Sequence, residues 1–470
     1  MRKFKQTSPF ILFFIVLTVL VGNNGFFWDS IVLGSGYGHW YYTTDFKYIF
    51  VPDDLAGYPP LFGFYVAIGW KLLGKTLLVS HLRVLPFLIG IVLQVQSLVS
   101  RYTPQPFHFW VILLLLIEPT FLAQATQIAP DIVLVFLYLF ALNSILTGKR
   151  IYLALILIAL AMLSPRGTIM VVALYLTDLL FGLLSTGNKL TDNYLFSKAI
   201  AYLPAFFATC IWLYLHYEHF GWIFYNKEST WGKGSEIVSF VDFFKNILVI
   251  GWRFADFGKV IVLLLLTLSL INVYISKQLK RETIEVLLML LMPLLILSSL
   301  LVFFQNPIAH RYFIVVFMLL IVLFGHLLQF LPKVKRLTFY CISVISLLAG
   351  HYVVALYPDW MSKGWDATLA HLPYYQLREK MIDYITVNDI PIDEVGSAYP
   401  NLRTFKLTDL VNSSEKFAEK DLKKHEYIFY SNVFNDFSDH ELDELNSKWT
   451  VKKEFKKELV VVRLYQKETK

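Results

Sequence analysis

Four ionisable side chains stand where apolar runs of this chain end: Asp29 in FFWDS, Asp131 in QIAPD, Arg166 in LSPRG and Arg311 in NPIAHRY. Two carboxylates beside two guanidinium groups have the polarity needed to transfer a group from a phosphate. Arginine holds an anionic phosphate through a planar, permanently charged fork, and a carboxylate removes the proton of an incoming hydroxyl. Ionised groups at membrane depth are costly and usually face a polar cavity that marks a site. Each also has a plainer reading. For Asp29 it is a helix-end charge among headgroups, for the arginines residues snorkelling to the interface, and for Asp131, following a proline, a first-turn acid that complements a helix dipole. The company of Asp29 favours a site. The stretch 26–83 gathers Trp28, Tyr37, His39, Trp40, Tyr41, Tyr42, Asp45, Tyr58 and the Pro59-Pro60 pair, and rings with polar tips suit an interface or a sugar. Weaker candidates are His81, Arg83 and His310. Glu118 in IEPTF lies at a possible kink before Pro119, and Trp365-Asp366 in GWDATL fits an acceptor contact or a helix cap.

These residues need a membrane scaffold. Of 470 residues, 56% are hydrophobic and 16% charged, with a mean hydropathy of +0.56; soluble domains average about 45–50% apolar and about 25% charged. The net charge of +7 comes from short basic clusters between apolar runs, which read as topology signals and not as a nucleic-acid face. Both cysteines, Cys210 and Cys341, lie inside apolar runs, so no disulfide framework or cysteine metal site is expected. Spans of nearly 20 residues are placed near 8–25, 84–100, 107–123, 131–147, 151–164, 168–184, 199–217, 258–275, 285–304, 312–329 and 338–356. The first is read as a retained span, since no cleavage site of the signal-peptide type follows it.

Charge parity decides the run from Pro59 to Gly74. If it lies along the outer surface, then Arg2/Lys3/Lys5, Arg101, Lys149/Arg150, Lys189/Lys198, Lys277/Lys280/Arg281 and Lys333/Lys335/Arg336 all fall on one side. The positive-inside rule makes that side cytoplasmic and the run an interfacial helix, with Lys71 and Lys75 free to snorkel. The fold expected is an all-α polytopic membrane domain over 1–356, with about 11 transmembrane helices plus outer interfacial helices. A small soluble α/β domain follows over 357–470, outside the cytoplasm. In it a helix is expected over Pro373 to Tyr384, strands near Glu394–Ala398 and Glu426–Ser431, a helix near Ser438–Asn446, and a closing hairpin of VKKEFKK and ELVVVRLYQK. It carries no glycine-rich phosphate loop and no metal-ligand spacing. No inverted pair of interrupted hydrophobic segments of the transporter kind is visible.

FFWDS closing the first span, AGYPPLFGFYVAIGWKLLG followed by SHLRVLP, APD opening a span, LSPRG and HRYF together resemble the C-type integral-membrane glycosyltransferases. The nearest branch is that of the protein O-mannosyltransferases and the lipid A aminoarabinose transferases, and the resemblance covers roughly residues 1 to 330. It implies that Asp29 is the catalytic base, that Asp131 is an acid at the outer end of a span, and that Arg166 and Arg311 are basic residues of the site. Ser30 stands where that family often has a second acid, and Tyr58 where it has a phosphate-binding basic residue. The donor implied is a sugar on a polyprenyl phosphate.

The reading is therefore an inverting glycosyltransferase of the outer membrane face in a bacterial inner membrane. Asp29 and Asp131 are its catalytic candidates, and Arg166, Arg311, His310, Tyr58 and Arg83 its substrate-binding ones. No cofactor is required and a divalent metal is left open. The partners are the polyprenyl-phosphate sugar, membrane lipids and a lipid, glycan or protein acceptor, with no nucleic acid. A flippase or transporter of a lipid-linked sugar, or a glycan ligase or polymerase, is the alternative.

Overall fold

The computed structural model describes residues 2–186, 191–223, 226, 234, 236–305, 307–358 and 363–468. Lys189 and the side chains of Arg2, Lys3 and Lys5, used above as topology signals, lie outside the described residues. The chain begins with α1 (Arg2–Leu20), a buried π-helical turn at Ile31–Gly36, and the short helices α2 (Tyr37–Thr43) and α3 (Leu61–Leu73). There follow α4 (Leu77–Tyr102), α5 (His108–Leu116), α6 (Pro119–Gln124), α7 (Pro130–Leu146), α8 (Arg150–Ala161) and α9 (Pro165–Thr186). After these come α10 (Asp192–Ala199), α11 (Leu203–Phe220), α12 (Phe240–Ala255), α13 (Lys259–Ile275), α14 (Arg281–Leu301), α15 (Ile314–Leu328) and α16 (Lys333–Gly350).

This is an integral, multi-pass membrane protein. Among the described residues four helices are long and apolar enough to cross a membrane alone: Leu77–Tyr102, Pro165–Leu184, Arg281–Leu301 and His310–Leu328. The bent pair α12 and α13 makes a fifth if it is one span. Apolar helices of 10–17 residues lie in the runs near 8–25, 107–123, 131–147 and 151–164, shorter than a span of nearly 20. α8, with 12 residues, is about 18 Å long at 1.5 Å per residue, against about 30 Å of hydrocarbon. The run 107–123 is not one helix. Glu118 accepts the Phe121 N–H at 2.7 Å and caps α6, and Pro119 stands at its first position, so the chain breaks between α5 and α6.

α12 and α13 meet at 86°. The corner needs glycine, because Gly258 has φ +79° and a Cβ there would lie 2.0 Å from the Ser346 carbonyl oxygen. α15 is the buried axis, with every residue from Ile314 to Leu328 inside. α3, at 13 residues, is another of the short apolar helices. Its Lys71 pairs with Asp45 and covers the Tyr42 ring, while Lys75 reaches His39 Nδ1 at 2.8 Å, so protein partners hold both ammonium groups.

The C-terminal segment forms α17 (Pro373–Val387), β1 (Val395–Ser397), α18 (Phe405–Thr408), β2 (Ala418–Glu419), β3 (Tyr427–Ser431), α19 (Asp439–Lys448), β4 (Trp449–Lys457) and β5 (Val460–Lys467). The sheet order is β2-β1-β3-β5-β4, with β1 parallel to both neighbours and β5 antiparallel to both of its own. A Ser438–Glu441 capping box starts α19. The core of this unit does not stop at its own chain segment. Phe27, which follows α1, and Phe257, at the α12–α13 corner, belong to the same buried cluster as Trp365, Tyr374 and Met381.

Candidate active site

The segment carrying Asp29 is held from both sides. The Phe26 N–H donates to the Thr408 carbonyl at 2.7 Å, and the Phe27 ring stacks on His371 at 5.6 Å. Ser30 Oγ accepts the Phe27 N–H at 2.7 Å and donates to the Phe27 carbonyl at 2.6 Å, folding residues 27–30 into a tight turn. That hydroxyl is therefore spent on backbone. Trp28 takes φ +50°, a strained value for a bulky residue, and strain of this kind clusters at functional sites. Tyr399 of the C-terminal unit donates its hydroxyl to the Trp28 carbonyl at 2.5 Å, over-determining the turn.

Arg311 lies on a 3-10 turn, His310–Phe313, that opens α15. Its guanidinium is shared: Nη2 donates to Asp29 Oδ2 at 2.5 Å and Nη1 to Asp366 Oδ2 at 2.8 Å. Asp29 and Arg311 are 282 positions apart in the chain. The Asp29 side chain keeps 31% of its surface exposed, against 11% for Arg311, so the carboxylate is the reachable member.

A second pair stands beside the Tyr312 ring. Arg166 donates to Asp131 Oδ1 at 2.7 Å. Its guanidinium carbon is 4.4 Å from the Tyr312 ring centre, and that of Arg311 is 5.7 Å from the same centre. LSPRG explains this placement. Ser164 Oγ accepts the Gly167 N–H at 3.1 Å, Pro165 opens α9, and a Cβ at Gly167 would meet the Leu160 carbonyl oxygen at 1.9 Å. Only glycine lets α9 lie this close to α8. Asp131 sits in the first turn of α7 without capping it through Ala129; its recorded hydrogen bond is to Arg166.

Tyr58 joins the same neighbourhood. Tyr37 holds its backbone N–H at 3.1 Å. Burial pushes the Tyr58 phenol up, with Arg166 and Arg311 pulling it back and Tyr312 and Asp29 adding to the rise. Its neutral hydroxyl is the polar group at the position where the sequence resemblance implies a basic residue.

Two sequence candidates point elsewhere. Arg83 covers the Tyr65 ring at 3.7 Å and donates to the Tyr65 carbonyl at 3.2 Å, tying α4 to α3. His310 turns away from its neighbour Arg311: Nε2 is 2.8 Å from Asp256 Oδ2 and the ring packs on Phe257. Asp256 also accepts the Tyr357 hydroxyl. Asp256 and Lys259 were not singled out beforehand, although Lys259 opens an apolar run, the signal that marks an ionisable group as worth explaining. Lys259 pairs with Glu118 at 3.3 Å. Asp366, weighed only as a cap or an acceptor contact, is a full partner of Arg311. Among the described residues no three His, Cys, Asp or Glu side chains group in a way that could hold a metal ion.

No family model matches this chain, and no curated protein matches it in sequence. Its fold matches the crystal structure of ArnT from Cupriavidus metallidurans bound to undecaprenyl phosphate, with a TM-score of 0.50 and 15% identity over 82% of this chain and 71% of that one. The apo structure of the same protein matches with a TM-score of 0.49 and 15% identity over 82% and 70%. At that identity the likeness is one of fold alone.

Proposed function

We propose that this protein transfers a sugar from a polyprenyl-phosphate donor to an acceptor hydroxyl on the non-cytoplasmic face of the membrane. The observation that carries the reading is the joining of Asp29 to Arg311, beside Asp131 and Arg166, in a chain with an ArnT-like fold. Asp29 Oδ takes the acceptor's proton as its oxygen forms the new bond to the anomeric carbon. The bond from that carbon to the phosphate oxygen breaks in line, with inversion, and the electron pair leaves on the lipid phosphate. Arg311 and Arg166 stabilise the charge collecting there, usually the largest single contribution in such a step. The reading requires no cofactor. It is tested by incubating purified protein with a labelled polyprenyl-phosphate sugar and candidate acceptors. Release of free polyprenyl phosphate that depends on an acceptor supports it; a donor that stays intact with every acceptor class sinks it.

A transport pathway would need polar groups continuing across the membrane. α15 is buried and apolar from Ile314 to Gly325, and Asp178, towards the other end, is closed off by Arg150 and by Lys198 at 2.8 Å. These features favour a reaction site over a channel for a lipid-linked sugar.

Arg166→Ala should lower transfer roughly 10²-fold, the scale for removing one donor to developing charge, and Arg166→Lys should recover only part, lacking the fork. Because alanine also leaves Asp131 buried and unpaired, the Arg166→Ala/Asp131→Asn double variant is the control. Recovered thermal stability without recovered transfer separates phosphate chemistry from packing. Full activity in the double variant would reduce both residues to a structural pair.

The C-terminal unit touches the Asp29 turn directly, so the two belong on one face. A reporter fused after Lys470 that works only outside the cytoplasm should be active, following the charge parity of the loops. Activity of a cytoplasm-only reporter at that position would reverse the assigned face.

A further inference from the structure

The proposed chemistry asks Arg311 for a phosphate, yet both terminal nitrogens of its guanidinium already hold carboxylates. Of those two, Asp29 has a role in the reaction and Asp366 has none. Asp366 is delivered by a 3-10 turn, Trp365–Ala367, in the segment between α16 and α17. The backbone of that turn is fixed independently of its carboxylate. Gln124 of α6 donates to the Asp366 carbonyl at 2.9 Å, Trp365 is buried, and Gly364 has φ +61° and packs close to the His310 ring. The Asp366 side chain itself keeps 20% of its surface exposed, which leaves it a way into water. The seam behind it is incompletely satisfied, with Thr368 Oγ1 and Gln124 Oε1 both buried and without a hydrogen-bond partner. Such groups are rare in settled packing.

We infer that Asp366 is a placeholder anion: with no donor bound, its carboxylate fills the half of the Arg311 fork that the donor's phosphate takes, and donor binding expels it. This rests on the donor assignment above. The exchange balances in charge, since a sugar phosphodiester carries a single negative charge and the carboxylate it replaces carries the same. In the empty state both halves of the buried fork are hydrogen-bonded, one to Asp29 and the other to Asp366, so no terminal nitrogen is left without an acceptor. Asp29 keeps its own half of the fork throughout, so the base stays oriented while the phosphate arrives opposite it.

The test is binding of sugar-free polyprenyl phosphate to the full-length protein in lipid nanodiscs. A placeholder in position about nine-tenths of the time reduces apparent affinity about tenfold, so Asp366→Asn should bind about tenfold tighter, while Asp366→Glu should stay near wild type. In the wild-type protein, saturating lipid phosphate should raise labelling of the Asp366 carboxylate by a water-soluble carbodiimide and amine, read by mass spectrometry, as the contact is released. Equal or weaker binding by a normally melting Asp366→Asn overturns the inference and leaves the donor assignment standing. Unchanged or lower labelling of Asp366 overturns it too, and that arm decides if the variant does not fold. A wild-type protein that binds no polyprenyl phosphate removes the donor assignment and the placeholder together.

Discussion

Asp29→Asn should abolish useful transfer, by the roughly 10²–10⁴-fold that general-base help is worth, while leaving a folded protein that still binds the lipid donor. Asparagine nearly matches the shape of aspartate and still offers an oxygen to Arg311, but it cannot take a proton at neutral pH. The usual confusion in such an experiment is a buried partner left without its counter-charge. Here that is limited, because Arg311 retains Asp366 at 2.8 Å. The turn is held by Ser30, Tyr399 and Thr408 and not by the carboxylate, so the strained Trp28 backbone should survive the change. The measurement is transfer by purified protein, with donor binding and thermal unfolding followed in parallel. Normal transfer by Asp29→Asn moves the base to Asp131; normal transfer by both variants takes the chemistry out of the glycosyltransferase reading.

How much of this was legible beforehand depends on the range of the interaction. Asp29, Asp131, Arg166 and Arg311 could be grouped at one end from hydropathy and charge parity alone, since each closes or opens an apolar run. Helix starts were legible for the same local reason: Pro130, Pro165 and Ser438 carry their signals within a few residues. Pairing was not. Nothing local says that Arg311 joins Asp29 across 282 positions or that Arg166 joins Asp131. His310 and Arg311 are adjacent in sequence, yet a 3-10 turn sends them to different partners. Hydropathy also overstated continuity, reading one span at 107–123 where Glu118 and Pro119 start a new helix. Asp366 was hardest to weigh, because its importance comes from the docking of the C-terminal unit onto the turn after α1.

That docking places limits on how the site can move. Phe27 and Phe257 are buried among C-terminal side chains, and the Asp29 turn shares its hydrogen bonds between the helical region and α18. Rearranging the C-terminal unit as a whole would therefore disturb the base. The Trp365–Ala367 turn is the part whose carboxylate can change partner without doing so, because its backbone is anchored by Gln124.

Breaking the Glu118–Lys259 pair should cost the most stability of any single change considered, about 3–5 kcal/mol, the penalty for stranding a buried charge. Glu118 has no exposed surface and the Lys259 side chain keeps 4%. Glu118 caps α6 through Phe121, and Lys259 begins α13 with its ammonium 4.5 Å from the centre of the Phe317 ring of α15. The pair thus ties the broken helix at Pro119 to the bent one at Gly258 and to the buried axis. Water cannot stand in for a lost partner on any scale. The cavity beside the pair, lined by Val262, Phe317 and Leu347, measures about 10 Å³, room for about one molecule. Lys259→Met keeps the length of the stem and removes the charge, so its loss reports the stranded Glu118 carboxylate and not a void. Glu118→Gln can still accept from Phe121 and strands Lys259 instead. The Glu118→Gln/Lys259→Met double variant strands neither and should recover most of the stability, giving a coupling energy well above the ~0.3–0.5 kcal/mol error of additivity. The cycle is read by thermal unfolding in detergent. Single variants that each cost under about 1 kcal/mol, with additive losses in the double, would show the pair to be solvated in practice and would open Lys259 to a role in binding an anion.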